Sequence, residues 1–308
     1  MSAKSIWVDL LLYPGHTLPT AAAPVLVAGG LALHDRVFAP VPVVLALLGS
    51  WLIHVAGVFT DNHELLRRHA RIVEHPQLTR AIADRTLTFA QLRAAICACL
   101  LLAALTAPYF IRTGGTVAAV IGVVGAAASL GYAGGPFPYA RLGLAEAVFF
   151  VMFGFVAVIG TYYAQAALMH GPGTAALIDA VPRSAWIAGL PAGALVTNVL
   201  IIDDMRDREF DAAKGWRTAA VRFGVRASRA EYLVLSAVAY LAPLWLWAGA
   251  GFDAWVLLPL VTLPWAYLIG RVVWTRDRPL DLAPITGRAS LLSFTCALLL
   301  AIGLAASR

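Results

Sequence analysis

The sequence predicts an all-α integral membrane protein that crosses the bilayer about nine times. Only 13% of its 308 residues are charged, whereas a typical soluble domain has about 25% charged residues. Hydrophobic residues make up 60% of the chain, and the mean hydropathy is +0.78. Apolar stretches of roughly 20 residues, the length that crosses the hydrocarbon core as a helix, follow one another along the chain. We therefore expect a single polytopic membrane domain over residues 1–308.

The apolar stretches also predict where the spans lie. Charged, glycine-rich or proline-rich segments separate them, and several are too long and too apolar for the core of a soluble fold. We predict transmembrane helices near residues 17–34, 40–60, 93–110, 115–133, 143–168, 185–203, 230–250, 253–270 and 288–306.

The distribution of basic residues predicts the orientation. Cytoplasmic loops of membrane proteins carry an excess of Lys and Arg. If the N-terminus is cytoplasmic, all but four of the 23 Lys and Arg residues lie on the cytoplasmic side. The four that would face outward are Arg36, Arg112, Arg183 and Arg308. We therefore expect a cytoplasmic N-terminus, and we interpret the net charge of +6 as a property of these loops rather than a sign of nucleic-acid binding.

Two predicted cytoplasmic connections are long and rich in charge, residues 61–92 and 204–229. Loops of this length between helices are uncommon and are often functional. They follow the second and the sixth predicted span, which suggests two halves with one charged loop each. We therefore expect candidate site residues where these two loops begin.

The second charged loop begins with regularly spaced aspartates. Asp203, Asp207 and Asp211 repeat every four residues, so on a continuing helix their carboxylates project from one face. Such a stack is most stable beside a cation, and hard oxygen ligands suit Mg²⁺, which usually bridges to substrate phosphates. Basic residues that could bind the remaining phosphate oxygens are interleaved with the acids: Arg206, Arg208, Lys214 and Arg217. The pattern indicates a magnesium–diphosphate site; the alternative is a solvated, ion-paired helix end beside the membrane.

The first charged loop opens with a second acidic pair, Asp61 and Glu64, one helical turn apart. This pair lies at the same predicted depth and on the same side as the aspartate repeat, so the two clusters could hold two Mg²⁺ ions across a diphosphate. Nearby arginines would contact the same anion: Arg67, Arg68, Arg71 and Arg80. Histidines also crowd this loop, but acids dominate and no zinc-type ligand spacing is present, so we expect magnesium rather than zinc. The alternative for Asp61 and Glu64 is a hydrated helix end.

Two stretches resemble a known family. Residues 203–224 read D-D-M-R-D-R-E-F-D-A-A-K-G-W-R-T-A-A-V-R-F-G and are similar to the second aspartate-rich motif of the UbiA superfamily of intramembrane prenyltransferases. Residues 131–146 read G-Y-A-G-G-P-F-P-Y-A-R-L-G-L-A-E. Together with the segment that follows, to Gln165, they resemble the MenA branch, which attaches a polyprenyl chain to 1,4-dihydroxy-2-naphthoate. With the number and order of the spans, the resemblance covers nearly the whole chain.

The first motif departs from the family pattern. Family members usually carry N-D-x-x-D near the first loop, whereas the preferred alignment places Thr60, Asp61 and Glu64 there. In that register His75-Pro76 and Arg80 also fall near the Gly-Pro and Arg that follow the motif in the family. An alternative register places His54, Gly57, Val58 and Asp61 over the motif and leaves a single acid.

The resemblance implies a UbiA-like bundle in the bacterial cytoplasmic membrane, with an active site that faces the cytoplasm. It implies Mg²⁺ as cofactor, an allylic polyprenyl diphosphate as donor and an aromatic quinone precursor as acceptor. Asp61, Glu64, Asp203, Asp207 and Asp211 would bind metal, and the three aspartates of the second motif would carry catalysis. Asn198, about one turn before Asp203, is a further catalytic candidate because an amide at that depth needs a partner.

The allylic carbocation must be kept from water, and aromatic side chains could line an apolar tunnel that does so. Tyr132, Phe153 and Tyr162 are the main candidates; the alternative for each is lipid contact or helix packing. Two other functions stay open at this stage. A terpene cyclase would ionise the same donor without an acceptor. A transporter with acidic gates would carry ionisable residues inside its spans, and only Glu146 and Glu231 lie near them.

Overall fold

The computed structural model describes residues 17–69, 76–173 and 181–307, and these form helices and turns without any β-strand. The described residues contain ten α-helices, which we number α1 to α10 in chain order. They lie at Thr17–His34, Pro40–Arg68, Pro76–Ala83, Phe89–Ala104, Ala107–Gly131, Ala145–His170, Arg183–Lys214, Ala219–Gly249, Leu263–Thr275 and Pro279–Ala306. Short 3-10 segments at Tyr139–Leu142 and Ala254–Thr262 precede α6 and α9. The predicted all-α class is confirmed.

The predicted spans fall on apolar helices. Within the described residues, seven helical segments are long and apolar enough to cross a membrane: α2, α5, α6, α7, α8, the segment Ala254–Thr275 that includes α9, and α10. Two shorter apolar helices, α1 and α4, coincide with the remaining predicted spans. The number nine and the cytoplasmic N-terminus stay predictions.

The charged segments after the second and sixth spans begin as helix rather than as loop. Helix α2 continues to Arg68, and α7 continues past the predicted end at residue 203 to Lys214. Gly215 then ends α7 in the left-handed conformation (φ 76°), and the Trp216 amide donates to the Asp211 carbonyl at 2.8 Å. Both acidic clusters therefore sit on rigid helix ends, which is what a precise ligand site needs.

Helix α7 lies at the centre of the bundle. Most of its apolar part is buried, and it packs against α6, α8 and α10. Its approach to α6 is close because both helices lack side chains at the crossing: a Cβ at Gly189 or Gly193 would collide with the backbone around Gly154. Gly154 belongs to a single π-helical turn, Met152–Val156, within α6. Such turns often occur at functional sites because they redirect the neighbouring side chains.

The glycine- and proline-rich segment between α5 and α6 packs against the turn that follows α7. The Arg217 amide donates to the Arg141 carbonyl at 3.1 Å, and Gly143 (φ 69°) lies so close to the Arg217 carbonyl that a Cβ there would collide with it. This pairing joins the two parts of the sequence that resemble the prenyltransferase family. It lies at the same end of the bundle as the acidic residues of α7.

Candidate active site

One cavity of about 790 Å³ connects the two acidic helix ends with the apolar interior of the bundle. Its walls come mainly from α2, α5, α6, α7 and the segment before α6, with a few residues of α1, α3 and α4. The polar end is lined by Asp61, Asn62, Asp203, Asp204, Arg206, Asp207, Asp211 and Lys214. The apolar part is lined mainly by aliphatic and aromatic residues and by glycines, among them Leu45, Gly49, Phe110, Ile111, Gly122, Val123, Gly125, Phe149 and Phe153. The cavity can therefore accept an amphiphile with a charged head and a hydrocarbon chain.

The three predicted aspartates of α7 share one side of the helix and line this cavity. Arg206 holds two of them: its Nη1 lies 2.5 Å from Asp203 Oδ1, and its Nε and Nη2 lie 2.8 and 2.5 Å from the two oxygens of Asp207. Thr286 of α10 also donates to Asp203, at 2.9 Å. Asp211 pairs with Lys214 at 2.9 Å, and this pair is almost fully buried. Acids and bases of the second motif thus neutralise one another along the cavity wall.

A fourth aspartate of α7, Asp204, was not among the predicted site residues. It is 5% exposed and lines the cavity, and its Oδ2 has no hydrogen-bond partner among the residues that the structure describes. Asp204 is seven residues, two helical turns, before Asp211, so the two carboxylates lie on the same face. The sequence signal was the adjacent pair Asp203-Asp204. A buried carboxylate without a partner is unfavourable, so a cation bound at this position would stabilise it.

Acids from both helix ends surround Tyr132, the residue that follows α5. Burial raises the pKa of the Tyr132 phenol well above its usual value, and the charges of Asp204, Asp61 and Asp211 raise it further. The phenol therefore stays protonated and can donate a hydrogen bond to an anion. This neighbourhood brings Asp61 of the first motif near Asp204 and Asp211 of the second.

The structure does not bring Glu64 to the cavity. Its carboxylate is 2.9 Å from Arg67 Nη2, 2.5 Å from Arg68 Nε and 3.1 Å from His63 Nδ1. Towards the acidic end, the face of α2 that lines the cavity instead includes His54, Gly57, Val58 and Asp61. These are the residues of the alternative register, so one acid of α2, Asp61, faces the cavity, and the neighbouring Asn62 adds an amide.

The predicted diphosphate-binding residues divide into two groups. Arg206 and Lys214 line the cavity. Arg67 is held by Glu64 with its side chain half exposed, whereas Arg80 and Arg217 are exposed and do not line the cavity. Arg71 lies outside the described residues.

Asn198 and Tyr162 are buried, but neither lines the cavity. Asn198 Nδ2 donates to the Tyr232 carbonyl at 3.2 Å and to Ser236 Oγ at 2.9 Å, so its amide binds α8. A residue five positions before Asp203 points about 140° away from it on a helix, and Asn198 accordingly does not line the cavity. Tyr162 donates to Asp35 at 2.6 Å and packs in the core with α1. Of the predicted tunnel aromatics, Tyr132 and Phe153 do line the cavity.

A cationic cluster around Trp216 completes the polar end. Lys214 Nζ lies 4.3 Å from the centre of the Trp216 ring, and the Arg141 guanidinium lies 5.7 Å from it. Burial lowers the pKa of Arg141, and the nearby Arg68 lowers it further. Arg141 Nε and Nη2 have no hydrogen-bond partner within the described ranges. Trp216 therefore fixes Lys214 at the cavity wall, a role that the sequence pattern did not reveal.

The residues at the polar end fit Mg²⁺ bound together with a substrate phosphate. In the described part of the chain, no group of three or more His, Cys, Asp or Glu side chains is arranged to hold a metal ion by itself. Mg²⁺ is usually held by one or two carboxylates plus phosphate oxygens and waters, not by a closed protein cage. The unpartnered oxygen of Asp204 and the carboxylates of Asp61 and Asp211 supply such ligands.

Comparison with known proteins identifies the family. The model of the UbiA prenyltransferase family matches residues 21–285. A 1,4-dihydroxy-2-naphthoate octaprenyltransferase from Mycobacterium tuberculosis is 30% identical over 301 residues, which cover 94% of this chain and 94% of that protein.

Solved structures share the fold. A UbiA homologue from Aeropyrum pernix superposes with a TM-score of 0.69 at 16% identity, covering 90% of this chain and 96% of that one. A UbiA homologue from Archaeoglobus fulgidus bound to GPP and Mg²⁺ gives a TM-score of 0.56 at 18% identity, covering 94% and 99% of the two chains. This chain therefore belongs to the UbiA prenyltransferase family and is an integral membrane prenyltransferase.

Proposed function

We propose that the protein transfers a polyprenyl group from an allylic diphosphate to a 1,4-dihydroxy-2-naphthoate-like acceptor, with Mg²⁺ as cofactor. The observation that carries this proposal is the single cavity that joins carboxylates of α2 and α7 to a long apolar space. The name of the M. tuberculosis relative supports the acceptor class. The GPP and Mg²⁺ bound by the A. fulgidus homologue support the donor class and the metal.

The donor's diphosphate would bind at the polar end. Asp61, Asp204 and Asp211 would ligate Mg²⁺, and Asp203 and Asp207 would do so once Arg206 turns towards a phosphate. Arg206 and Lys214 are suited to that exchange because they already lie on the cavity wall beside carboxylates. We infer from the distribution of basic residues that this end faces the cytoplasm of a bacterial cell.

The chain's own residues would assist ionisation in two ways. The C1–O bond of the donor breaks, and its electron pair leaves with the diphosphate. Mg²⁺, when bound, supplies Lewis-acid neutralisation of that leaving group, and Arg206, Lys214 and the Tyr132 hydroxyl would donate hydrogen bonds to it. The ring faces of Phe149 and Phe153, whose centroids are 5.3 Å apart on the cavity wall, would stabilise the allylic cation.

The acceptor would then complete the transfer. A ring carbon of the electron-rich dihydroxynaphthoate uses its π electrons to form the new bond to C1. That carbon afterwards loses its proton, or its carboxylate as carbon dioxide, and the bonding pair returns to the ring. The paired segments around Gly143 and Arg217 would limit the entry of water from the polar end, which protects the cation.

The proposal is tested by product analysis. Purified protein in detergent is incubated with Mg²⁺ and a series of allylic diphosphates, with and without 1,4-dihydroxy-2-naphthoate, and the organic extract is analysed by mass spectrometry. We expect a prenylated naphthalene product that requires both the acceptor and Mg²⁺. It should be lost in Asp211→Asn and kept in Asp277→Asn, an exposed acid between α9 and α10.

Two results would contradict this function. Cyclic hydrocarbon or alcohol formed without an acceptor would identify a terpene cyclase instead. Equal product formation by Asp211→Asn and the wild type would exclude the proposed metal–diphosphate site.

A further inference from the structure

We propose that His54 binds the aromatic acceptor by accepting a hydrogen bond from one of its ring hydroxyls; this inference rests on the proposed transferase function. His54 lies within the membrane-spanning part of α2 and lines the same cavity as Asp61. Ionisable side chains inside a span are costly, so they usually face a functional cavity. Asp61 is assigned to the metal and the diphosphate of the donor, but the proposed reaction assigns no role to His54.

The position of His54 fits the acceptor rather than the diphosphate. His54 and Asp61 are seven residues apart on one face of α2, which places the imidazole about 10 Å deeper in the bundle. The allylic C1 is bonded to the diphosphate oxygen, so the reacting carbon lies just inside the acidic end. An acceptor ring that attacks C1 must lie beside this stretch of α2.

The surroundings of His54 suit a flat aromatic ligand. Its ring meets Phe153 edge to face, with centroids 5.7 Å apart. Phe153 lies in the π-helical turn of α6 and also contacts Phe149, which contacts Tyr132 in turn. All of these side chains line the cavity between its acidic end and its apolar end. An aromatic ring could stack among them while its hydroxyl meets the imidazole.

Three hydroxyl groups of the cavity wall are bound to backbone carbonyls. Ser129 donates to the Ile53 carbonyl at 2.8 Å, Ser50 to the Ala21 carbonyl at 3.0 Å, and Thr106 to the Ala103 carbonyl at 2.7 Å. These hydroxyls hold α2, α1 and α5 in place. A neutral imidazole has one ring nitrogen that donates and one that accepts, so it can accept from a phenolic hydroxyl while its N–H serves another partner.

The test compares His54→Leu, which removes the hydrogen-bonding group, with His54→Asn, which keeps one. We expect His54→Leu to raise the KM for 1,4-dihydroxy-2-naphthoate about tenfold, the effect of leaving one substrate hydroxyl unpaired. The KM for the allylic diphosphate should stay unchanged, and His54→Asn should recover most of the acceptor affinity. His170→Leu, at the exposed end of α6, is the matched control and should behave as wild type.

A second ligand makes the test specific for the hydroxyl. 2-Naphthoate keeps the fused rings and the carboxylate but lacks both hydroxyls. Its inhibition constant against the acceptor should therefore be the same for wild type and His54→Leu. Isothermal titration of both ligands in the absence of donor gives the same comparison without turnover.

Several results would overturn the inference. An unchanged acceptor KM in His54→Leu, or an equal rise in the KM of donor and acceptor, would exclude this role. If His54→Leu weakened inhibition by 2-naphthoate as much as it weakened binding of the acceptor, His54 would only shape the pocket and would not bind the hydroxyl. If the wild type makes no prenylated product but binds the dihydroxynaphthoate in a His54-dependent manner, the proposed reaction fails while this inference holds. Absence of such binding would refute the inference.

Discussion

The unpartnered carboxylate of Asp204 predicts that one substitution makes the protein more stable and less active. Asp204→Asn replaces a buried, unpartnered carboxyl group, which lies near the acids Glu146, Asp203, Asp207 and Asp211, by a neutral amide of the same shape. The amide cannot repel these acids and its NH2 group can donate to them; satisfying a buried polar group in this way is worth about 1–3 kcal/mol. We therefore expect the variant, without Mg²⁺, to be more stable than the wild type by about 1–3 kcal/mol. Domains of about 150–250 residues shift by about 2–4 °C per kcal/mol, and on that scale the unfolding temperature should rise by about 2–12 °C.

Asp207→Asn is the matched comparison, because it should have the opposite effect. Both oxygens of Asp207 are bound by Arg206, and both side chains are largely buried. Removing the negative charge takes the strongest acceptor pair away from the guanidinium, whose other partners include Asp203 and Thr286. We expect the unfolding temperature to fall by several degrees, corresponding to about 1–2 kcal/mol after allowance for the partial exposure of the pair.

The assay is thermal unfolding in detergent, with and without Mg²⁺ plus an allylic diphosphate, together with the product assay. Mg²⁺ and donor should stabilise the wild type, because a ligand that binds only the folded state raises its stability. They should stabilise Asp204→Asn much less. The reasoning would be refuted if Asp204→Asn were less stable than the wild type without Mg²⁺, or if it kept full activity.

Three further predictions concern the framework of the cavity. Gly189→Ala should prevent correct folding because its Cβ meets the backbone at Gly154, whereas Gly287→Ala, with open space around it, should elute and unfold as wild type. Trp216→Ala should lower the free energy of unfolding by about 3–5 kcal/mol and raise the KM for the donor. Trp216→Phe should keep most of the stability and of the donor affinity; unfolding experiments and steady-state kinetics measure the two effects. Gly122→Leu, which enters open cavity space, should shift the donor preference to shorter prenyl chains in competition assays.

Much of the fold could be predicted because its cause is local. A run of about 20 apolar residues must form a helix in the bilayer, since every backbone polar group has to be satisfied internally. The ends of the helices were less predictable. Charged residues marked the predicted membrane boundary, but they do not end a helix, and α7 continued until Gly215 supplied a left-handed residue.

The aspartates of α7 could be placed because a repeat of four fixes the face of a helix. The same rule explains two differences between the predicted and the observed site residues. Asp204 lies about 100° from Asp203 but in phase with Asp211, so a repeat counted from Asp203 passes over it. Asn198 has the opposite phase and binds α8 instead.

The first motif shows where sequence spacing was insufficient. Glu64 lies one turn after Asp61, but Arg67 and Arg68 follow it at three and four residues, the positions that ion-pair most easily on a helix. His54 and Asp61, two turns apart, share the cavity face. The contacts of each side chain depend on how α2 packs against α5 and α6. Local sequence spacing does not determine this packing.

The central claim is that carboxylates of α2 and α7 form one Mg²⁺-dependent diphosphate site. Isothermal titration of a non-hydrolysable allylic diphosphate analogue into wild type, Asp61→Asn, Asp211→Asn and the double variant tests it most directly. We predict Mg²⁺-dependent binding that either single substitution greatly weakens, with little further loss in the double variant, because the two acids act on the same ligand. Binding that survives Asp61→Asn unchanged, or that needs no Mg²⁺, would contradict the claim.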